Sequence, residues 1–104
     1  MPVDIERMAQ YFDLACKQGD MAACTNLGNK FERGLGVQAD PSRAVPLYLR
    51  AYGLGSSYGS ATLAALYENG KGVAQDRVRA SELYSKACKG GNAAGCEGAK
   101  RTAP

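Results

Sequence analysis

The stretch running from Thr25 to Gly55, "TNLGNKFERGLGVQADPSRAVPLYLRAYGLG", decides the fold because it returns from Ala61 to Gly91 as "ATLAALYENGKGVAQDRVRASELYSKACKGG", at an offset of 36 residues. At that offset Leu27 falls on Leu63, Phe31 on Tyr67, Gly34 on Gly70, Gly36 on Gly72, Val37 on Val73, Asp40 on Asp76, Ala44 on Ala80 and Tyr48 on Tyr84. Ala15, Ala51 and Ala87 share a register, as do Gly19, Gly55 and Gly91. One period further back, Met8, Tyr11 and Phe12 fall on Ala44, Leu47 and Tyr48. Self-similarity at a fixed period of this length marks a repeat architecture, in which each unit covers the apolar face of its neighbour. The chain then divides into a half unit at residues 3–19, full units at 20–55 and 56–91, and a half unit at 92–104.

Each unit reads as two helices, so the expected class is all-α, an α/α solenoid. From about Met21 to Glu32, Ala23, Leu27 and Phe31 recur every four residues; from Tyr58 to Glu68, Gly59, Leu63 and Tyr67 do the same. The second helices carry Ala44, Leu47, Tyr48 and Ala51, then Ala80, Leu83, Tyr84, Ala87 and Cys88. Such three-and-four spacings put one apolar stripe on one helix face. Gly19 and Gly91 suit the left-handed residue that ends a helix, and Asp20 and Asn92 suit the cap of the next. Asp40 is expected to cap a helix opened by Pro41, where a missing N–H costs nothing. Pro46 falls inside that helix, where it removes a ladder hydrogen bond, so a kink or an irregular first turn is expected there.

The four cysteines form two pairs, "CKQGDMAAC" from Cys16 to Cys24 and "CKGGNAAGC" from Cys88 to Cys96. On one unbroken helix such a spacing is a rise of roughly 12 Å, too far for a disulfide. With a turn at Gly19-Asp20 and at Gly91-Asn92, the paired cysteines sit on antiparallel helices within reach of each other. Two local disulfides are the expected arrangement, with buried free thiols as the alternative. A four-cysteine zinc site lacks its usual close ligand spacing. At the middle junction the same positions hold Tyr52 and Ser60, so both cysteines are lost together.

Composition removes several function classes. The 13 basic and 10 acidic residues, net +3, are scattered rather than clustered, which points away from nucleic acid. No apolar run is long enough to span a membrane. The start "MPVDIERMAQ" carries no basic segment followed by an apolar stretch, so no secretory signal is expected there. The chain has no histidine, and so lacks the commonest general base and the commonest nitrogen metal ligand. The Gly-x-Gly loops follow helices rather than strands, which argues for inter-helix turns over a phosphate-binding fingerprint.

An Ala-rich first helix with Leu-Gly or Leu-Ala, an aromatic, Gly-x-Gly-Val-x-x-Asp, then Ala, Tyr and Ala-Cys or Ala-Tyr before a glycine resembles the Sel-one-like repeat, a relative of the tetratricopeptide repeat. The eight-residue cysteine spacing further resembles the cysteine-rich branch of that family known from secreted bacterial proteins, in which a bridge staples the second helix of one unit to the first helix of the next. The resemblance implies a right-handed superhelix used as a scaffold for binding proteins or peptides, with no cofactor and no catalysis of its own. By the same resemblance the middle junction, lacking its cysteines, holds by packing alone. Disulfides imply an oxidising compartment, the periplasm or the exterior.

Residues that face inward in related repeats map to Thr25, Asn29, Glu32 and Arg33 in the first unit, to Tyr58, Ala61, Ala65, Glu68 and Asn69 in the second, and to Glu97 and Arg101 in the last half unit. This polar groove with one aromatic is the expected site for a protein or peptide partner. Some cysteine-rich relatives are described as penicillin-binding or β-lactamase-like, which implies an alternative role in cell-wall metabolism. None of Ser42, Ser56, Ser57, Ser60, Ser81 or Ser85, however, is followed three residues later by the lysine a serine β-lactamase needs. A second alternative is a purely structural module: the weak apolar stripe of "NAAGCEGAKR" reads as a terminal cap or as a truncated unit whose exposed end drives self-association.

Overall fold

In a computed structural model, residues 5–104 are described, and they form six helices: α1 (Ile5–Lys17), α2 (Met21–Arg33), α3 (Pro41–Gly53), α4 (Ser57–Asn69), α5 (Arg77–Lys89) and α6 (Ala93–Thr102). The first two residues of the expected N-terminal half unit lie outside that span. Consecutive helices pack on one another, with further contact between α4 and α6 and between α1 and α3. The result is a rod-like stack with extents of 50 × 23 × 18 Å, as expected when each unit touches mainly its neighbours.

The stripes read from the sequence are buried except at Leu47, Tyr67 and Cys88, which are half-buried. Leu27 and Phe31 of α2, Ala44 and Tyr48 of α3, Leu63, Ala64 and Leu66 of α4, and Ala80, Leu83 and Tyr84 of α5 make one continuous cluster. Phe12 of α1 packs against it from the position that Tyr48 and Tyr84 hold in later units. A smaller cluster of Cys16, Ala23, Cys24 and Ala51 fills the first junction. Small residues let the helices approach closely: a Cβ on Gly28 would come within 2.6 Å of the Tyr48 ring, and one on Gly98 within 2.4 Å of the Tyr84 ring.

The turns between units repeat one backbone pattern. Gly19, Gly55 and Gly91 have φ of 97°, 96° and 91°, a region open to glycine at little steric cost. The next residue then donates its N–H back to the ending helix: Asp20 to the Ala15 carbonyl, Ser56 to Ala51 and Asn92 to Ala87, at 2.9–3.0 Å. The side chains of Asp20, Ser56 and Asn92 accept from the N–H groups of Ala23, Gly59 and Gly95 at 3.1, 2.9 and 2.8 Å, so each satisfies an orphan donor of the following helix.

Within units the two loops also match. Asp40 N–H donates to the Phe31 carbonyl at 2.7 Å and Asp76 N–H to the Tyr67 carbonyl at 2.9 Å. The helices they open differ. Asp76 caps α5 through Arg79 N–H at 3.0 Å, but the Asp40 carboxylate makes no such bond; it accepts the Ser42 hydroxyl, and Arg43 N–H turns tightly back onto the Asp40 carbonyl at 3.0 Å. The first turn of α3 is thus irregular, while the helix continues unbroken past Pro46. Pro46 and Ser42, whose carbonyl would have received the missing bond, are both exposed, so water can take the place of the lost donor.

Candidate functional site

Both cysteine pairs are disulfides: Cys16–Cys24 with Cα atoms 4.7 Å apart and Cys88–Cys96 with Cα atoms 4.4 Å apart. With all four sulfurs used, neither free thiols nor a four-cysteine metal site remains.

At the middle junction Tyr52 and Ser60 do not stand in for a bridge. Both turn toward α5 instead. Ser60, buried, donates its hydroxyl to the Leu83 carbonyl at 2.7 Å. The Tyr52 hydroxyl accepts from Lys86 Nζ at 2.5 Å, and the ammonium lies 5.2 Å from the Tyr52 ring centre. The Tyr52 contact raises the Lys86 pKa. The junction is therefore held by a polar and cation–π tie from α3 to α5 in addition to packing, which corrects the expectation of packing alone.

The first helices α2, α4 and α6 carry all the residues mapped to the partner face. Two groups form on it, each around a tyrosine hydroxyl from a second helix. In the first, Tyr48, completely buried, places its hydroxyl 2.6 Å from Asn29 Oδ1 and 2.7 Å from Glu32 Oε1, its single proton shared between them. The Tyr58 hydroxyl of α4 donates to the same Asn29 oxygen at 3.0 Å. Burial, then the hydrogen bond to Glu32, pushes the Tyr48 hydroxyl far above the usual phenol range, so it stays protonated and a donor.

In the second group the Tyr84 hydroxyl donates to Glu68 Oε1 at 2.7 Å. Arg101 of α6 grips the same carboxylate with both arms, Nε to Oε2 at 2.8 Å and Nη2 to Oε1 at 2.9 Å, and its Nη2 lies 3.3 Å from the Tyr84 hydroxyl. The Arg101 bonds, with help from the Tyr84 hydroxyl, hold the Glu68 carboxyl down at about 2, and burial followed by the Glu68 bond pushes Tyr84 up to about 12. Arg77 donates to the Arg101 carbonyl and so ties down the end of α6, where a cation suits the helix dipole.

The other mapped residues differ in what they offer. Ala61 is buried, 7% exposed, and lies beneath the face rather than on it. Thr25 returns its hydroxyl to the Met21 and Ala22 carbonyls, and Asn69 donates to the Ala65 carbonyl. Arg33 and Glu97 are exposed, and Ala65 is half-buried. Sequence reading missed the part played by Tyr48 and Tyr84, which it placed only in the core. A signal was present: a tyrosine rather than a phenylalanine at a buried position needs a partner for its hydroxyl.

The model of the Sel1 repeat matches residues 1–20, 22–56 and 58–92. The chain belongs to the Sel1 repeat family. Sel1 repeat proteins are generally protein-interaction scaffolds, and the fold is typically non-enzymatic. Among solved structures, the chain is similar to Helicobacter pylori cysteine rich protein B, at 29% identity and a TM-score of 0.81, over 91% of this chain and 71% of that one. It is also similar to a Sel1 repeat protein from Oxalobacter formigenes, at 32% identity and a TM-score of 0.68, over 70% of this chain. A third likeness is to a protective antigen of uropathogenic Escherichia coli, at 29% identity and a TM-score of 0.78, over 83% of this chain. The match spans only 30% of the Oxalobacter protein and 18% of the Escherichia one. No curated protein matches the chain significantly in sequence. The disulfides and the cysteine-rich Sel1 neighbour fit an extracytoplasmic location, and among the described residues no helix is long and apolar enough to cross a membrane.

Proposed function

We propose that this Sel1 repeat chain is a non-enzymatic binding module whose first helices α2, α4 and α6 present a polar face to a peptide or protein loop, in the periplasm or outside the cell. The observation that carries the reading is Tyr58. It is 41% exposed and its hydroxyl is steadied by Asn29 on the preceding first helix, so an aromatic ring stands ready on a polar surface. A pre-positioned tyrosine offers a partner large contact area with little loss of side-chain freedom. Asn29, Glu32 and Arg33 beside it supply the hydrogen-bonding groups that fix a peptide's register.

The test is positional. A photo-crosslinking side chain is placed at Tyr58 in one sample and at Val78 in another, since Val78 is 71% exposed but lies on α5, outside the face. Irradiation in the extracytoplasmic fraction of the source organism should join a partner through position 58 and not through position 78. Equal capture at both positions, or crosslinks only between copies of the chain, would contradict the reading.

A further inference from the structure

The two tyrosine–carboxylate groups occupy the same place in successive units and differ in one respect. Glu68 and Tyr84 receive a guanidinium, supplied by Arg101 of the next first helix. In the register of the repeat, Glu68 corresponds to Glu32, Tyr84 to Tyr48, and Arg101 to Ala65. Where Arg101 reaches Glu68, the corresponding residue for Glu32 is the short Ala65, and among the described residues Glu32 has no ion pair, although the charge of its chain neighbour Arg33 is felt at the Tyr48 hydroxyl. Its carboxylate is half-buried and is held by the Tyr48 hydroxyl, with the Asn29 amide and the Tyr58 ring as neighbours.

We propose that the Glu32 station is the receptor for an arginine side chain of the bound partner, which would complete there the arrangement that Arg101 completes at Glu68. The inference deepens the partner-face reading and rests on it. The intramolecular pair shows what fits: a planar fork meeting both carboxylate oxygens, a phenol oxygen within reach of one arm, and the guanidinium 5.6 Å from the Tyr84 ring centre. Two-armed pairing of this kind selects arginine over lysine by shape. Tyr48 is completely buried, so its hydroxyl serves by holding Glu32 in place rather than by meeting the guanidinium itself. Tyr58, two turns before Ala65 on α4, supplies an aromatic wall on the approach.

The probe is an acetylated and amidated Gly-Gly-Arg-Gly-Gly peptide, with the same peptide carrying uncharged citrulline as its control, titrated into the labelled whole chain and read by amide NMR. The arginine peptide should shift resonances around Asn29, Glu32 and Tyr58, and citrulline should bind at least about tenfold more weakly, as expected for losing a hydrogen-bonded charge. Glu32→Gln should weaken the arginine peptide by a similar factor. Ala65→Arg, which builds in the occupant, should abolish the peptide-induced shifts while helical circular dichroism is retained. If Ala65→Arg does not fold, Glu32→Gln carries the test alone. Equal shifts from the citrulline peptide would overturn the arginine assignment while leaving the partner face standing. Absence of shifts on α2 and α4 with either peptide would also overturn it, and the crosslinking contrast between positions 58 and 78 judges the broader reading separately.

Discussion

The junctions at the two ends of the chain, α1 to α2 and α5 to α6, carry disulfides, while the middle junction, α3 to α4, carries none; yet all three turn through the same glycine conformation, the same backbone return and the same side-chain cap. The bridge is thus laid over a turn that local residues already make. What it adds is a constraint on the unfolded chain; the middle junction has no such constraint, and in the folded state Tyr52 of α3 is tied to Lys86 of α5 instead.

If this comparison is right, removing bridges should weaken the protein without undoing its helices. Cys16→Ala with Cys24→Ala, and separately Cys88→Ala with Cys96→Ala, should each lower the unfolding free energy by about 2.5 kcal/mol, the loop-closure value for so short a ring. Urea titration followed by circular dichroism measures both the loss and the retained helix. Loss of helical signal in the variants at zero denaturant would mean that the bridge makes the turn after all.

The next effect in size concerns close packing at the unbridged junction. A Cβ on Gly59 would lie 2.8 Å from the Ala51 Cβ and 3.2 Å from the Tyr52 N. Gly59→Val should therefore destabilise by about 1–3 kcal/mol, the usual range for overpacking. The first junction holds an alanine at the corresponding position, Ala23, so Ala23→Gly should be the milder change.

A third bridge sharpens the comparison from the other side. Tyr52→Cys with Ser60→Cys places two thiols on a backbone that already matches the bridged junctions, and intact mass should show one additional disulfide. The net gain should be about 1 kcal/mol or less, smaller than a native bridge provides, because the Ser60–Leu83 hydrogen bond and the Tyr52–Lys86 tie are lost with it.

The smallest effect is a pH response at the last junction, where the Glu68–Arg101 pair links α4 to α6 alongside the disulfide. Folding lowers the Glu68 pKa from 4.5 to about 2, so the stability it contributes is present above pH 4.5 and is lost as pH falls toward 2. Glu68→Gln should flatten that part of the stability profile, measured by thermal midpoints across the acid range. An unchanged acid slope would mean that solvent screens the pair completely.

How far the sequence could be read follows from which features are local. Gly19-Asp20 and Gly91-Asn92 announced their turns because glycine conformation and side-chain capping act over three or four residues, and the stripes of Leu27, Phe31, Ala44 and Tyr48 announced the helices by period alone. The missing side-chain cap at Asp40 was less visible, since its carboxylate is taken by the Ser42 hydroxyl. The partner face was mapped residue by residue from a resemblance, and the structure brought Asn29 and Glu32 to one tyrosine hydroxyl, with Tyr58 joined through Asn29, and Glu68 and Arg101 to another. Those groupings depend on side chains 16 to 33 residues apart meeting after the stack forms, which no local pattern encodes. Ala61 shows the same limit in reverse, since a position carried over from related repeats does not say whether it lies on the face or in the layer just beneath it.

The most direct measurement of the account is intact mass and peptide mapping after alkylation in denaturant, with and without prior reduction. The account predicts no alkylated cysteine before reduction, four after it, and bridged peptides joining Cys16 to Cys24 and Cys88 to Cys96 only. Four cysteines alkylated without reduction, or a peptide joining Cys24 to Cys88, would contradict both the stapled junctions and the oxidising compartment inferred from them.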